Sequence, residues 1–588
     1  MTPGQRLWTV SLGLALTGIA CGDSAADTST TATTLDDSAT ATSGPGDGDP
    51  STGDGDPSTG DGDPTGDGDP TGDGDPGMTK FDVNAEFDLP FVDICAAQDL
   101  DLLGGEGEAA PCGQQSPPDS FDPVEEWHYP LNNNAMQSWV VPLVINWTDD
   151  NNDGQIDMCD DPDVILTAFT GFNSCAIHII DGDYGNSGVV HDIIDDLDVH
   201  CTGNPAVGDI DNDGWPEIVA VSNNPQETLI AIDNDGTLMW ESDPNPNGTG
   251  GGGPWKSGGV ALHDLDRDGT YEILYNHTLW DSTGTVLWGQ QDPSGSLTWL
   301  QATTAADLDG DEDLELITAF SAHDFDGGWN ETTLWDLHAS INLPAFSIPQ
   351  VANFDNDPEP EILFTSDAGY LVAEHDGTVK WGPIKPALNV ACNGSYWGGY
   401  MRAASIHDYD ADGEAEFAAA ACGTFAIYEV TANGPTIITQ QPVQDNSGGT
   451  GTTSFDFLGD GTAEPVYSDE IAAWAWSWTG MDWEVRLQLP RGSPTYMEYP
   501  SVADVDNDGS AEILVPSANT QTPALVVFGD VGSRWIQARR IYNQHQYYIT
   551  HVNEDGTVPS VHLDSWRFFN TFRANSQIEG GSLCVPTG

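Results

Sequence analysis

Apolar residues in this chain come in short runs, broken every few positions by Gly, Asn or Asp, and they nowhere sustain a 3.6-residue period. From about residue 124 the same order recurs. A short strand such as Ser501-Val-Ala503 enters an acidic loop, and a second such as Glu512-Ile-Leu-Val515 leaves it. A turn follows, then two more strands, as in Thr228-Leu-Ile-Ala-Ile232 and Thr237-Leu-Met-Trp240. Apolar runs punctuated by Asp-Gly-type turns are hairpin signals. Four strands in each unit of about fifty residues predict an all-β propeller.

The acidic loop is the recurring chemistry. It reads Asp-x-Asp/Asn-x-Asp-Gly-x-x-Asp/Glu, most clearly at Asp209-Ile-Asp211-Asn-Asp213-Gly214-Trp-Pro-Glu217. Four further copies keep the pattern: Asp149/Asn151/Asp153/Asp157, Asp264/Asp266/Asp268/Glu272, Asp408/Asp410/Asp412/Glu416 and Asp504/Asp506/Asp508/Glu512. Oxygens at positions 1, 3, 5 and 9 with a carbonyl at 7 can wrap one hard cation, and Gly at position 6 supplies the positive-φ turn. The absence of thiol and imidazole from this set favours Ca2+. Three copies depart from it. Asp307/Asp309/Asp311/Glu315 has Glu312 in place of Gly, a strained turn and a weaker site. Asn353/Asp355/Asp357/Glu361 has Pro358 there, which cannot take positive φ. In Asp456/Asp460/Glu464 the second ligand has become Leu458. The expectation is about five to six Ca2+ ions and two structural relics. Eight motif starts, 43 to 60 residues apart, predict eight blades, or seven should a degenerate unit be absorbed. The strand around Trp127 is expected to complete the last blade and so remove the exposed sheet edges.

These loops, with the preceding Pro205-Ala-Val-Gly208 or Ser501-Val-Ala503 and the following Glu-Ile-Val or Glu-Ile-Leu, resemble the FG-GAP/VCBS repeats of bacterial surface proteins and integrin α-subunit propellers. The resemblance covers residues 125–530 and implies fold and calcium, not an activity. A second echo, Gly236-Thr-Leu-Met-Trp240 with Gly284-Thr-Val-Leu-Trp288 and Gly377-Thr-Val-Lys-Trp381, looks like the tryptophan-docking repeat of quinoprotein propellers. Indoles packed between blades are the simpler reading of it.

Composition narrows the function. The chain has 95 acidic and 14 basic residues, so nucleic acid would be repelled. Residues 1–20 read as an export signal, with Arg6 before the apolar stretch Leu7 to Ala20. Gly18-Ile19-Ala20-Cys21 resembles a bacterial lipobox, with Gly18 where leucine is usual, which implies lipidation of Cys21. Residues 21–79 carry five Gly-Asp-Gly-Asp-Pro copies and too little apolar surface to fold, an extended tether. A Cys-containing lead-in at 80–123, the propeller at 124–533 and a segment at 534–588 packing on or closing it complete the organisation. An even eight cysteines remain after Cys21, and proximity suggests the disulfides Cys95–Cys112 and Cys392–Cys422.

Five of the 14 cations fall in the last segment, alongside Tyr542, His545, Tyr547, Tyr548, His551 and Trp566. As a packing tail these residues would cover the acidic ring. As a ligand surface, Arg539, Arg540, Tyr542, His545, Tyr547 and His551 could hold a glycan by stacking and by arginine–uronate pairs. Some rhamnogalacturonan lyases are calcium-bearing propellers with similar loops, and that resemblance implies His545, His551 or Tyr547 as base and Arg539 or Arg540 as charge stabiliser. The principal reading is a noncatalytic binding or adhesion module for a glycan or surface protein. It would be exported and held at a bacterial outer membrane or cell surface by its lipid anchor, or secreted; the lyase is the alternative.

Overall fold

The computed structural model describes residues 111–585 apart from 118–119, 131–135, 153, 172–173, 225, 247–257, 290–301, 345–346, 356, 389–400, 422, 446–448, 520, 560–562 and 580–581. The chain divides into two units, Met1–Phe87 and Asp88–Gly588, and every described residue belongs to the second. The signal, Cys21 and the tether lie outside the described residues.

Eight four-stranded antiparallel sheets follow one another. Blades I to VII span residues 143–194, 206–241, 261–289, 304–336, 348–384, 405–442 and 452–490. Blade VIII takes Ser501–Ala503, Glu512–Pro516 and Leu525–Asp530 from the end of the repeat region and its outer strand, Pro123–Tyr129, from the beginning. Pairing runs from Pro123 against Asp530 to Tyr129 against Leu525. The ring is therefore closed by the strand around Trp127, and the fold is the eight-bladed alternative. Apart from Thr170 near the end of the second strand of blade I, the described residues of the first two strands of each blade are buried, because each sheet is packed on both faces by its neighbours.

In every blade the register between third and fourth strands slips, leaving one extra residue in the outer strand, or two in blade V, where it slips twice. Such bulges raise the local twist and re-aim a side chain. The outer strands also carry the tryptophans of the Gly-Thr-x-x-Trp echo, and the indoles do pack between blades. Trp240 of blade II lies against Gly284 of blade III and Trp381 of blade V against Gly434 of blade VI; Trp335 of blade IV, outside the echo, packs in the same way against Gly377 of blade V. A Cβ on Gly377, whose φ is +78°, would stand 2.5 Å from the Trp335 ring. Gly377→Ala is expected to cost about 3 kcal/mol from the backbone and the overlap together, read as a lower midpoint in urea at fixed calcium.

The C-terminal segment fills the centre of the ring. Its backbone and side chains bond the innermost strand of every blade: Tyr542 at Val144, Asn543 at Val207, Gln544 at Leu262 and Tyr548 at Ala305. The circuit continues with Gln546 at Pro349, Phe572 at Ile406, Arg573 at Thr453 and Asn575 at Val502. Innermost strands offer backbone groups that would otherwise face an empty channel, and the tail satisfies them. Cys584, near its end, is disulfide-bonded to Cys112, just before the first strand. This corrects the expected Cys95–Cys112 pairing: 472 residues of sequence separate the two cysteines, and the plug brings them together. A second disulfide joins Cys175 to Cys201. Cys95, Cys392 and Cys422 lie outside the described residues.

Candidate metal centres

Each acidic loop joins the first two strands of its blade, so all eight lie on one side of the ring. Their folding is local. In loop II the Asp209 carboxylate accepts the N–H groups of Asp213 (3.1 Å) and Gly214 (3.0 Å). Asp264 does the same for Asp268 and Gly269, and Asp408 for Ala411 and Gly413. Asp149 and Asp504 hold Gly154 and Gly509. Gly at position 6 takes positive φ at 154, 214, 269, 413, 461 and 509, as the sequence required. Position 4 is left-handed as well, at Asn152, Asn212, Arg267, Ala411 and Asn507. Only loops IV and VII show it in sequence, with Gly310 and Gly459 at that position, both at positive φ; elsewhere non-glycine residues fill it. In loop IV Glu312 sits at φ +87°, the strain expected where Gly is missing.

The ninth-position glutamates close the cage from below. Glu217, Glu272, Glu315, Glu416 and Glu512 open their strands and are buried. One oxygen of each accepts the N–H of the loop's second residue, at 2.8 Å for Ile210 and Leu265 and 2.7 Å for Tyr409. The other oxygen faces the remaining ligands. Glu315 Oε1, Glu416 Oε1, Asp410 Oδ1 and Asp504 Oδ1 are buried without any hydrogen-bond partner. Carboxylate oxygens of Asp209/Asp211/Glu217, Asp264/Asp266/Glu272, Asp307/Asp309/Asp311 and Asp408/Asp410/Glu416 converge to within 4.8 Å of one another. Several acidic clusters can thus hold a metal ion, and their all-oxygen donor sets and orphaned oxygens fit a hard divalent cation.

Left without one, the clusters resist ionisation. Burial first, and the neighbouring loop carboxylates second, push Glu217 and Glu272 up to about 9, Glu315 to about 8 and Glu416 to about 10. Burial likewise raises Glu512 well above the ordinary range. Buried carboxylates behave this way when nothing positive compensates them.

Loop I departs from its expected ligand set. Asp153 is outside the described residues, and Asn151 is exposed. Asp157 spends an oxygen on the Cys159 N–H at 2.8 Å. The loop runs on to Asp163, which opens the second strand where the other blades have glutamate, and which is buried and accepts from Trp147 and Thr148. Buried Asp160 ties the loop together by accepting from Asp150, Asn151 and Asp157. The run Asp163-Val-Ile-Leu, parallel to Glu217-Ile-Val-Ala, was the available signal.

Third-strand acids also went unnoticed in sequence. Asp181 pairs directly across from Asp163, and Glu374 from Glu361. Asp233 and Asp324 press on Asp211 and Asp309 electrostatically. Partial burial, then Asp412 and Asp410, push the half-buried Glu429 up to about 7, and desolvation, then Asp506 and Asp508, do the same to Glu126 of the closing strand. Directly opposed residues share a face of a sheet, which is why these carboxylates reach the loops.

The C-terminal cluster is not a surface. Arg539, Arg540, Tyr542, His545, Tyr547 and His551 are all buried in the plug. Arg539 bonds Glu554, Tyr547 (3.0 Å), the Ile549 carbonyl (2.6 Å) and the Val552 carbonyl (2.7 Å). Arg540 bonds the Met158 carbonyl and Asn507. Burial, then Arg573, keeps His545 neutral, and burial raises the Tyr547 phenol. These side chains are spent on the interior and present nothing to a polysaccharide. One of several exposed concavities is a groove of about 400 Å³ between blades IV and V, lined by Asp307, Asp309, Trp335, His375, Asp376 and Arg567.

Residues 209–275, which hold loops II and III, match the FG-GAP-like repeat family. No curated protein matches the chain. Among solved structures, the V. cholerae biofilm matrix protein Bap1 superposes with a TM-score of 0.59 at 19% identity, over 79% of this chain and 100% of that one. The rhamnogalacturonan lyase PL11 of Bacillus licheniformis gives a TM-score of 0.45 at 16% identity, over 67% and 71%. The chain is an eight-bladed β-propeller, and its residues 209–275 carry the FG-GAP-like repeat.

Proposed function

We propose that this propeller is an extracellular, calcium-stapled binding module for a glycan or another surface protein, and that it does no chemistry. The observation that carries this reading is the filled channel. The axial concavity, where a propeller can enclose a small substrate, is occupied by the chain's own C-terminus, and the histidines and arginines suited to catalysis hold that plug in place. What remains for a partner is the outer surface, including the groove lined by both Trp335 and the half-exposed Arg567. An aromatic face and a guanidinium suit a sugar ring and its carboxylate.

The ions fall to loops I to IV, VI and VIII, where they fix turns whose carboxylates would otherwise repel. Affinities of about 10⁻⁴ to 10⁻³ M, usual for extracellular modules, suit an exported protein anchored through Cys21. A biofilm matrix protein of the same fold in V. cholerae is in keeping with an adhesive role. The test is a glycan array in calcium buffer with product detection. Retained glycan without turnover, weakened by Arg567→Ala, is expected. Release of unsaturated uronides absorbing in the ultraviolet would instead establish a lyase.

A further inference from the structure

Blade V keeps the carboxylates of its sisters but carries a cation of its own. The Lys380 ammonium lies 2.5 Å from Glu361 Oε1 and 3.0 Å from Glu374 Oε1, and it also bonds Asp355. Oxygens of these same three residues converge within 4.8 Å, as do those of loops II, III and VI. The lysine reaches them through the outer-strand bulge. Val372 pairs with Trp381 and Ala373 with Val379, so Lys380 is the extra residue. The equivalent residue is uncharged in blades II, III, IV and VI (Met239, Leu287, Leu334 and Ile438), and is His191 in blade I, Arg486 in VII and Glu126 in VIII, so a lysine or arginine stands there only in blades V and VII, whose loops both depart from the motif. Loop V is also the one with Pro358 where the ion-binding turn needs glycine.

We propose that Lys380 is a tethered substitute for the divalent ion of blade V, and that removing its charge turns Asp355, Glu361 and Glu374 into a divalent-cation site. The inference rests on the calcium reading of the other loops. Clustered carboxylates in a half-buried site require a positive charge nearby, and an ammonium on a bulge supplies it without ever dissociating. Glu361 accordingly rises only to about 7, against about 9 for Glu217 and Glu272, because Lys380 pulls against its burial. Blade V would then stay closed when calcium is withdrawn, while its neighbours loosen.

Calcium content of the full chain after equilibrium dialysis tests this in both directions. Lys380→Met is expected to bind one ion more than the wild type, with a melting temperature that calcium raises further than it raises the wild type's. Met239→Lys, which installs the ammonium at the same register in blade II, is expected to bind one fewer. A wild type that binds calcium beside a Lys380→Met protein with an unchanged count would overturn the substitution and leave the other loops standing. A wild type without calcium would overturn both readings. Should Lys380→Met fail to fold, Met239→Lys decides alone, one ion fewer supporting the proposal and an unchanged count ending it.

Discussion

Chelation of divalent ions is expected to lower the melting temperature by about 10 °C, and by more as the pH rises. Six loops of this chain carry the oxygen motif in sequence. With calcium about tenfold above the dissociation constant, each site adds about 1.4 kcal/mol through mass action, or about 8 kcal/mol for six independent sites. For a domain of this size that is worth about 10 °C. The pH dependence follows from the glutamates. Their folded values, about 9 for Glu217 and Glu272, stand well above the ordinary glutamate value of 4.5. Between these limits the metal-free native state holds more protons than the unfolded chain, so its stability is greatest below the unfolded value and is lost as pH rises through the folded one. Calcium takes the place of those protons and removes the slope. Melting curves with and without EDTA, from about pH 5 to about pH 9, should therefore diverge toward alkaline pH. Curves that stay parallel would mean that the glutamates keep their protons in calcium and that the cages are empty.

The blade count was legible because both of its determinants are local. A nine-residue loop needs its own carboxylates and glycine, and these survive in the chain as a motif; even the degenerate loops keep enough of it to count. The closing strand was legible for a different reason, since an open ring would expose two sheet edges and the run around Trp127 was the unassigned strand. What escaped was everything that depends on register or on distance. Glu374 and Asp181 become partners of the loops only once strands pair, and Lys380 reaches its carboxylates only through a one-residue bulge. The C-terminal cluster was recognised by composition, yet composition alone could not separate a binding face from a core. Burial separates them. The chain concentrates its cations there because a plug threaded through an acidic ring must carry positive charge or forfeit its contacts.

Arg539→Met is expected to destabilise the protein by about 3–5 kcal/mol, while Arg567→Ala, in the same segment, should change stability by less than about 0.5 kcal/mol. The contrast follows from where each guanidinium ends. Arg539 is fully buried and donates to Glu554, to the Tyr547 hydroxyl and to two carbonyls of the plug, so its loss strands the buried Glu554 carboxylate and leaves acceptors without donors. Methionine fills part of the volume but replaces none of the bonds. Arg567 keeps a side chain 51% exposed, paired to Asp564 at 3.1 Å, and water can replace that pair at little cost. Urea denaturation of both variants at saturating calcium measures the difference, and retention on glycan measures the complement, with Arg567→Ala weakened and Arg539→Met unchanged wherever it remains folded. The opposite result, a stable Arg539→Met that no longer binds, would move Arg539 to the ligand surface and require the plug to leave the ring. Plug and binding surface make competing demands on the same basic residues, because a guanidinium that ties the tail to the interior cannot also be offered to solvent.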